Sequence, residues 1–149
     1  MTFFEELFSN YILITAAMAW AAAQIIKTIL NFFITKTFSA ERLIGAGGMP
    51  SAHSAFVCSL AVATGKRCGV SSPMFAIAAA LAVVVMYDAM GVRRAAGEQA
   101  KTINILADTI ESVIGDPDLV PKELKEFLGH TPVEVIAGAI LGITIALIR

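Results

Sequence analysis

Charge is scarce in this chain. Asp, Glu, Lys and Arg together make up 15% of its 149 residues, against about 25% in ordinary soluble domains. The net charge is −1, so no basic surface argues for nucleic acid as a partner. The two cysteines, Cys58 and Cys68, form neither a metal-binding spacing nor a disulfide framework. Cys58 lies in an apolar run and reads as a small buried hydrophobe. No Lys or Arg precedes Lys27, so the basic start of a cleaved signal peptide is missing and insertion is expected to rely on the first apolar helix. No internal repeat or low-complexity tract is visible. Histidine is scarce too, with two in the whole chain, His53 and His130, which makes their positions informative.

Apolar residues, by contrast, make up 57% of the chain, and the mean hydropathy is +0.76. The expected architecture is all-α: one domain over residues 1–149, a polytopic membrane bundle of about four transmembrane helices plus an amphipathic helical loop. The apolar segments run from Tyr11 to Ile34, Ser54 to Thr64, Met74 to Met90 and Val133 to Ile148. The second is short for a span, which needs about 20 residues, and reaches that length only if His53 and Gly65 join it. The loop from Gly91 to Gly129 holds many of the charges. Its first part, Val92 to Ile114, spaces Ile103, Leu106, Ile110 and Val113 for one helix face. Asp116-Pro117-Asp118 is a break signal, and Pro121 to Leu128 reads as a short helix with Pro at its start. Gly138 and Gly142 match the small-xxx-small pattern of close helix packing; a homodimer contact is the alternative use of that pair.

Four crossings place the first and third connections on one side of the membrane. The starts of spans two and four and the end of span three therefore meet at one face. That face carries Lys36, Arg42, Arg93, Arg94, Lys101, Lys122 and Lys125, and the other carries Lys66, Arg67 and Arg149. The positive-inside tendency puts the seven-residue face in the cytoplasm, although cations that bind an anionic substrate would produce the same bias.

Both histidines fall on the shared face, each in a short Gly/Pro motif. Burying an unpaired polar group in hydrocarbon costs roughly 2–7 kcal/mol, so their placement needs a reason. Gly47-Gly48-Met49-Pro50-Ser51-Ala52-His53 opens a helix, whose free N–H groups and positive dipole end favour phosphate. Gly48 allows close backbone approach. Ser51 is either a phosphate ligand or a helix cap. His130 and Glu134 share a helix face at i, i+4. A carboxylate behind an imidazole fixes its tautomer and raises the basicity of its other nitrogen, as a nucleophilic histidine requires; stabilisation of the helix end is the plainer role. Arg93 and Arg94 are candidates for bidentate phosphate binding or for interfacial snorkelling. Asp88 is placed to pair with one of them. Lys27, within span one beside Gln24 and Asn31, is a charge at a depth where charges are usually functional. Gly97-Glu98-Gln99 sits on the loop side, with no role assignable from its chemistry.

Taken together, the Gly-Gly-Met-Pro-Ser-Ala-His motif, Tyr87-Asp88-Ala89-Met90-Gly91-Val92-Arg93-Arg94 with Gly97-Glu98-Gln99-Ala100, and Leu128-Gly129-His130-Thr131-Pro132-Val133-Glu134 resemble the divergent PAP2 family. These small membrane proteins are described as related to acid phosphatases and vanadium-dependent haloperoxidases. The resemblance runs from about Gln24 to Gly142 and implies a PAP2-like core. It implies His130 as the nucleophile that attacks phosphorus, Glu134 as its orienting carboxylate and His53 as the general acid. It implies Ser51 and an arginine (Arg93 or Arg94) as phosphate contacts; Lys27 and Gly48 are further candidates from their positions, with Asp88 and Gln99 as candidate support. The scheme requires no metal and no cofactor. The pattern departs from the broader superfamily in five ways: Ala52 replaces a glycine, Glu134 replaces an aspartate, the first motif, a lysine spaced from Arg-Pro, is absent, the Ser-Arg that normally stands shortly before the third motif's histidine is missing, with Arg94 36 positions before His130, and the usual six membrane helices are cut to about four. The function so implied is hydrolysis of a lipid phosphate or pyrophosphate, of phosphatidate, phosphatidylglycerophosphate or prenyl-phosphate type, in a bacterial-type plasma membrane. Non-enzymatic binding of anionic lipid is the alternative.

Overall fold

The computed structural model describes residues 2–36, 48–114, 124 and 129–149. The described residues form six helices: α1 (Phe3–Ser9), α2 (Tyr11–Thr35), α3 (Ala52–Cys68), α4 (Pro73–Met90), α5 (Val92–Ile114) and α6 (Pro132–Ile148). Three of the four expected spans appear almost where the apolar runs placed them. The short second run lengthens at both ends, because α3 takes in Ala52 and His53 at its start and Gly65 to Cys68 at its finish. Helix α1 was not expected; Thr2 and Glu5 close a capping box at its start, bonding reciprocally to each other's backbone N–H, which satisfies two otherwise orphaned donors.

Helices α2, α3, α4 and α6 alternate in direction, and α3 packs against each of the other three. The central helix is built from small residues: Ala52, Ser54, Ala55, Ser59, Ala61 and Ala63 are all buried. Small side chains let helix backbones approach closely where lipid supplies no hydrophobic drive between helices. Gly138 and Gly142 of α6 show the consequence. A methyl group at either would overlap the carbonyl of Ser51 or of Ala55 on α3. The glycine pair is thus occupied within the chain by α3, and its use as a homodimer contact loses its surface.

Large apolar side chains point the other way. Ile25, Ile29 and Phe32 on α2, Ile77, Val83 and Val84 on α4, and Ile136 and Ile140 on α6 are exposed, while the core cluster is Ala19, Ala23, Ala52 and Ala55. A soluble domain buries its large apolar residues. Here they clothe the outside, the arrangement suited to hydrocarbon as solvent. Two stretches, Tyr11–Ile34 and Pro73–Ile110, are long and apolar enough to cross a membrane, and the most apolar 18 residues of each are only 33% and 17% buried. Helices α3 and α6 have 17 residues each, about 25 Å at 1.5 Å per residue.

The two ends of the bundle differ. At one end Lys66 Nζ donates to the carbonyls of Ala146 and Leu147 at 2.9 and 3.3 Å, satisfying the last turn of α6. Arg67 and Arg149 lie 4.2 and 5.2 Å from the ring centroid of Tyr11. The three basic residues assigned to one membrane face from the sequence do gather there. The opposite end holds both histidines.

Helix α5 has the expected bounds, but its apolar stripe is not turned inward. Ile103, Leu106, Ile110 and Val113 are exposed. The buried residues are Gly97, Ala100 and Asn104, a second stripe of small and polar character. The expected break at Asp116-Pro117-Asp118, the helix from Pro121 to Leu128 except Leu124, and Gly47, Arg42, Lys122 and Lys125 lie outside the described residues.

Candidate functional site

Three backbone connections assemble the site end of the bundle. Ser51 N donates to the Glu134 carbonyl at 3.0 Å, joining the start of α3 to the start of α6. His130 N donates to the Ala89 carbonyl at 3.0 Å, joining the approach to α6 to the last turn of α4. Gly129, with φ +103, lies flat against the backbone of Arg93 and Arg94; a Cβ there would overlap Arg94, so glycine is required both for the left-handed conformation and for the approach.

These links bring His53 and His130, 77 positions apart in the chain, to a ring-centroid separation of 6.4 Å with planes inclined by 48°. Both line a cleft of about 240 Å³ together with Asp88 and Arg93, the apolar Val84, Val85 and Ala89, and the backbone of Gly129. His53 is exposed at the mouth, whereas His130 is only 4% exposed. Behind His130, its Nδ1 stands 3.4 Å from Glu134 Oε2. The same oxygen accepts the Thr131 N–H at 2.8 Å, while Thr131 Oγ1 accepts the Glu134 N–H. Glu134 therefore caps α6 and backs the imidazole together; the two roles read from the sequence do not exclude each other. Burial holds the His130 imidazole below its ordinary pKa, and the Glu134 carboxylate opposes that shift, so the ring stays neutral and basic nitrogen stays available near pH 7.

On the rim, Arg93 Nε donates to Asp88 Oδ2 at 2.6 Å. A guanidinium has five N–H donors, so this bond orients Arg93 and leaves further donors directed by the same plane. Lys27, only 6% exposed, packs beneath Gly48, whose φ is +82, and lies within electrostatic reach of Glu134, His53 and His130. Neither Lys27 nor Gly48 lines the cleft itself.

The other site residues read from the sequence lie elsewhere. Ser51 is fully buried; its Oγ accepts from Ser54 N at 3.3 Å and from Ser54 Oγ at 3.1 Å, so it caps α3. Arg94 contributes backbone against Gly129, and its side chain is exposed away from the cleft lining. Gln99 is exposed on α5 and does not line the cleft. Among the described residues, no three His, Cys, Asp or Glu side chains gather as a metal site.

Sequence reasoning missed the apolar wall of Val84 and Val85, which looks like any other part of a span. It also missed the Ala89 carbonyl, whose role depends on a contact no local pattern reports. Asn104 was overlooked as well: its side-chain amide donates to the Leu124 carbonyl and accepts the Leu124 N–H, both at 2.9 Å, holding Leu124 against α5. Its signal was a polar residue on neither the apolar nor the charged stripe of α5.

A lipid-facing bundle of crossing helices with two histidines at one end defines a polytopic helical membrane protein. Residues 8–145 match the model of the divergent PAP2 family, and the chain belongs to that family. It is also 38% identical over 151 residues to the uncharacterized membrane protein YuiD of Bacillus subtilis strain 168, an alignment covering 96% of each chain. No solved structure matches it.

Proposed function

We propose that the protein is a membrane phosphatase that hydrolyses a lipid phosphate or pyrophosphate through a phosphohistidine. The observation that carries this reading is the convergence of His53 and His130, from separate motifs, on one cleft with Glu134 behind His130. A nucleophile needs about 3–3.5 Å to the atom it attacks, and a general acid about 2.6–3.2 Å to the atom it protonates. The 6.4 Å between the rings is of the size that seats one phosphoryl group between them.

In the first step, a ring nitrogen of neutral His130 attacks phosphorus. The N–P bond forms as the bond to the leaving oxygen breaks, and His53 gives that oxygen its proton. In the second, His53 accepts a proton from water, whose oxygen attacks phosphorus. The N–P bond breaks, and inorganic phosphate leaves. Arg93, oriented by Asp88, and Lys27 offset the charge on the phosphoryl oxygens. A cleft of about 240 Å³ accommodates a head group rather than an acylated molecule. Val84 both lines the cleft and is exposed on the lipid side of α4, so an apolar tail can remain in the bilayer.

The test is phosphate release by purified protein in detergent, with EDTA present, on a panel of prenyl and glycerolipid phosphates beside His130→Ala. Turnover lost in the variant is expected. Folded wild-type protein that binds these lipids without turnover, and binds them equally after His130→Ala, would establish the lipid-binding reading instead, since Lys27 and Arg93 would hold an anionic head group without the histidines.

A further inference from the structure

Helix α5 has three distinct sides. One is buried: it carries Gly97, Ala100 and Asn104, and Asn104 bonds to the backbone of Leu124. A second is mainly polar, with Glu98, Lys101, Thr109 and Ser112 exposed around Ile105. The third is the stripe of Ile103, Leu106, Ile110 and Val113, all exposed and spaced to one side of a helix.

Two observations decide what covers that stripe. The first is continuity. Helix α5 starts where the third span ends, the backbone leaves helical geometry at Gly91 with φ −102 and ψ −89, and Tyr87 and Val92 on either side of this corner are exposed like the lipid-facing residues of α4. Tyrosine at the end of a span marks the level of the head groups. The second is size. From Ile103 to Val113 the stripe is about 15 Å long, far too small to supply the roughly 800 Å² per partner of a stable protein interface.

We propose that α5 lies along the surface of the bilayer that holds the bundle, with this stripe sunk into the acyl boundary as an interfacial amphipathic helix. Its first turn carries Arg93 and packs on Gly129, so the helix fixes the rim of the cleft at head-group level. The charges of α5 cancel: Arg93, Arg94 and Lys101 against Glu98, Asp108 and Glu111. The attachment is therefore apolar and independent of anionic lipid. It stands whether or not His130 is a nucleophile.

Trp20 is the single tryptophan, so Trp20→Phe gives a silent background for Leu106→Trp, Ile110→Trp and, on the polar side, Ser112→Trp. Each full-length variant is reconstituted in phosphatidylcholine vesicles whose chains carry bromine near the head group or near the midplane. Leu106→Trp and Ile110→Trp are expected to be quenched severalfold more by the shallow bromines than by the deep ones. Ser112→Trp should be quenched little by either, and exchanging part of the lipid for phosphatidylglycerol should change nothing. Stripe positions that escape both quenchers would overturn the proposal, and emission that then varied with protein-to-lipid ratio would identify a second copy as the cover. Stronger quenching by deep bromines, equal quenching of Ser112→Trp, or quenching that required phosphatidylglycerol would overturn it as well.

Discussion

The Oε2 atom of Glu134 accepts the Thr131 N–H and stands 3.4 Å from His130 Nδ1. Glu134→Gln keeps the shape and removes the charge. Because that charge raises the His130 pKa while burial lowers it, the variant leaves the imidazole neutral to still lower pH. In wild-type protein the acid limb of kcat/KM should fall below the ordinary histidine value of 6.5, since protonation removes the nucleophile, and in Glu134→Gln it should move lower again with a reduced plateau. A pH–rate profile checks both; a limb that moved upward in the variant would show that Glu134 does not act on the titrating group. His53 is exposed and lines the cleft, and in the proposed mechanism it protonates the leaving oxygen. His53→Ala should lower turnover by roughly 10²–10⁴-fold, the usual contribution of a general acid, and a leaving group that needs no proton should recover most of the loss. Both histidines stand out in a sequence that has only two. Ser51 shows the limit of such reading, since a hydroxyl at a helix start looks the same whether it binds phosphate or caps the helix.

At the level of elements, the site depends on how closely α6 approaches α3. The carbonyls of Ser51 and Ala55 occupy the space that side chains would take at Gly138 and Gly142. Gly142→Ala should therefore destabilise the bundle by about 1–3 kcal/mol or more, as overpacking does, and Gly142→Leu should prevent native assembly. Unfolding followed in mixed micelles would register the difference, and an unchanged midpoint for both would mean that the helices are not in contact. Asn104 ties α5 to the returning chain. Asn104→Ala leaves the Leu124 N–H and carbonyl without their side-chain partner, a loss of about 1–3 kcal/mol, and hydrogen exchange around Leu124 should quicken while the spans remain protected. The bounds of α2, α4 and α6 were legible from their apolar runs, with Pro at the start of α4 and α6, and those of α5 from its apolar periodicity after Gly91. The extent of α3 was obscured: its alanines and serines give a weak apolar signal, yet the same residues allow it to occupy the centre.

Across the whole molecule, the histidine end and the Lys66–Arg67–Arg149 end lie at opposite membrane faces. The distribution of basic residues along the sequence, read with the positive-inside tendency, predicts a cytoplasmic histidine end. Cys68 is exposed beside the opposite end and Cys58 is buried, so the chain carries its own topological reporter. A membrane-impermeant maleimide should label Cys68 on intact cells. In a Cys68→Ser background, Lys101→Cys, on the polar side of α5, should be labelled only after permeabilisation. Labelling in the reverse pattern would place the cleft outside.

The sequence by itself determined that the chain is helical and membrane-embedded, where its strongly apolar spans lie, and that two histidine motifs share one face. Those properties follow from composition, local periodicity and the parity of crossings. Only the tertiary structure decided that the glycine pair of α6 is consumed by α3, that Ser51 is a buried cap, and that Ala89 and Gly129 set His130 against the last turn of α4. It also decided which side of α5 is buried. Each of these depends on which backbone lies within hydrogen-bonding or van der Waals distance of another distant in sequence, and no local pattern encodes that proximity.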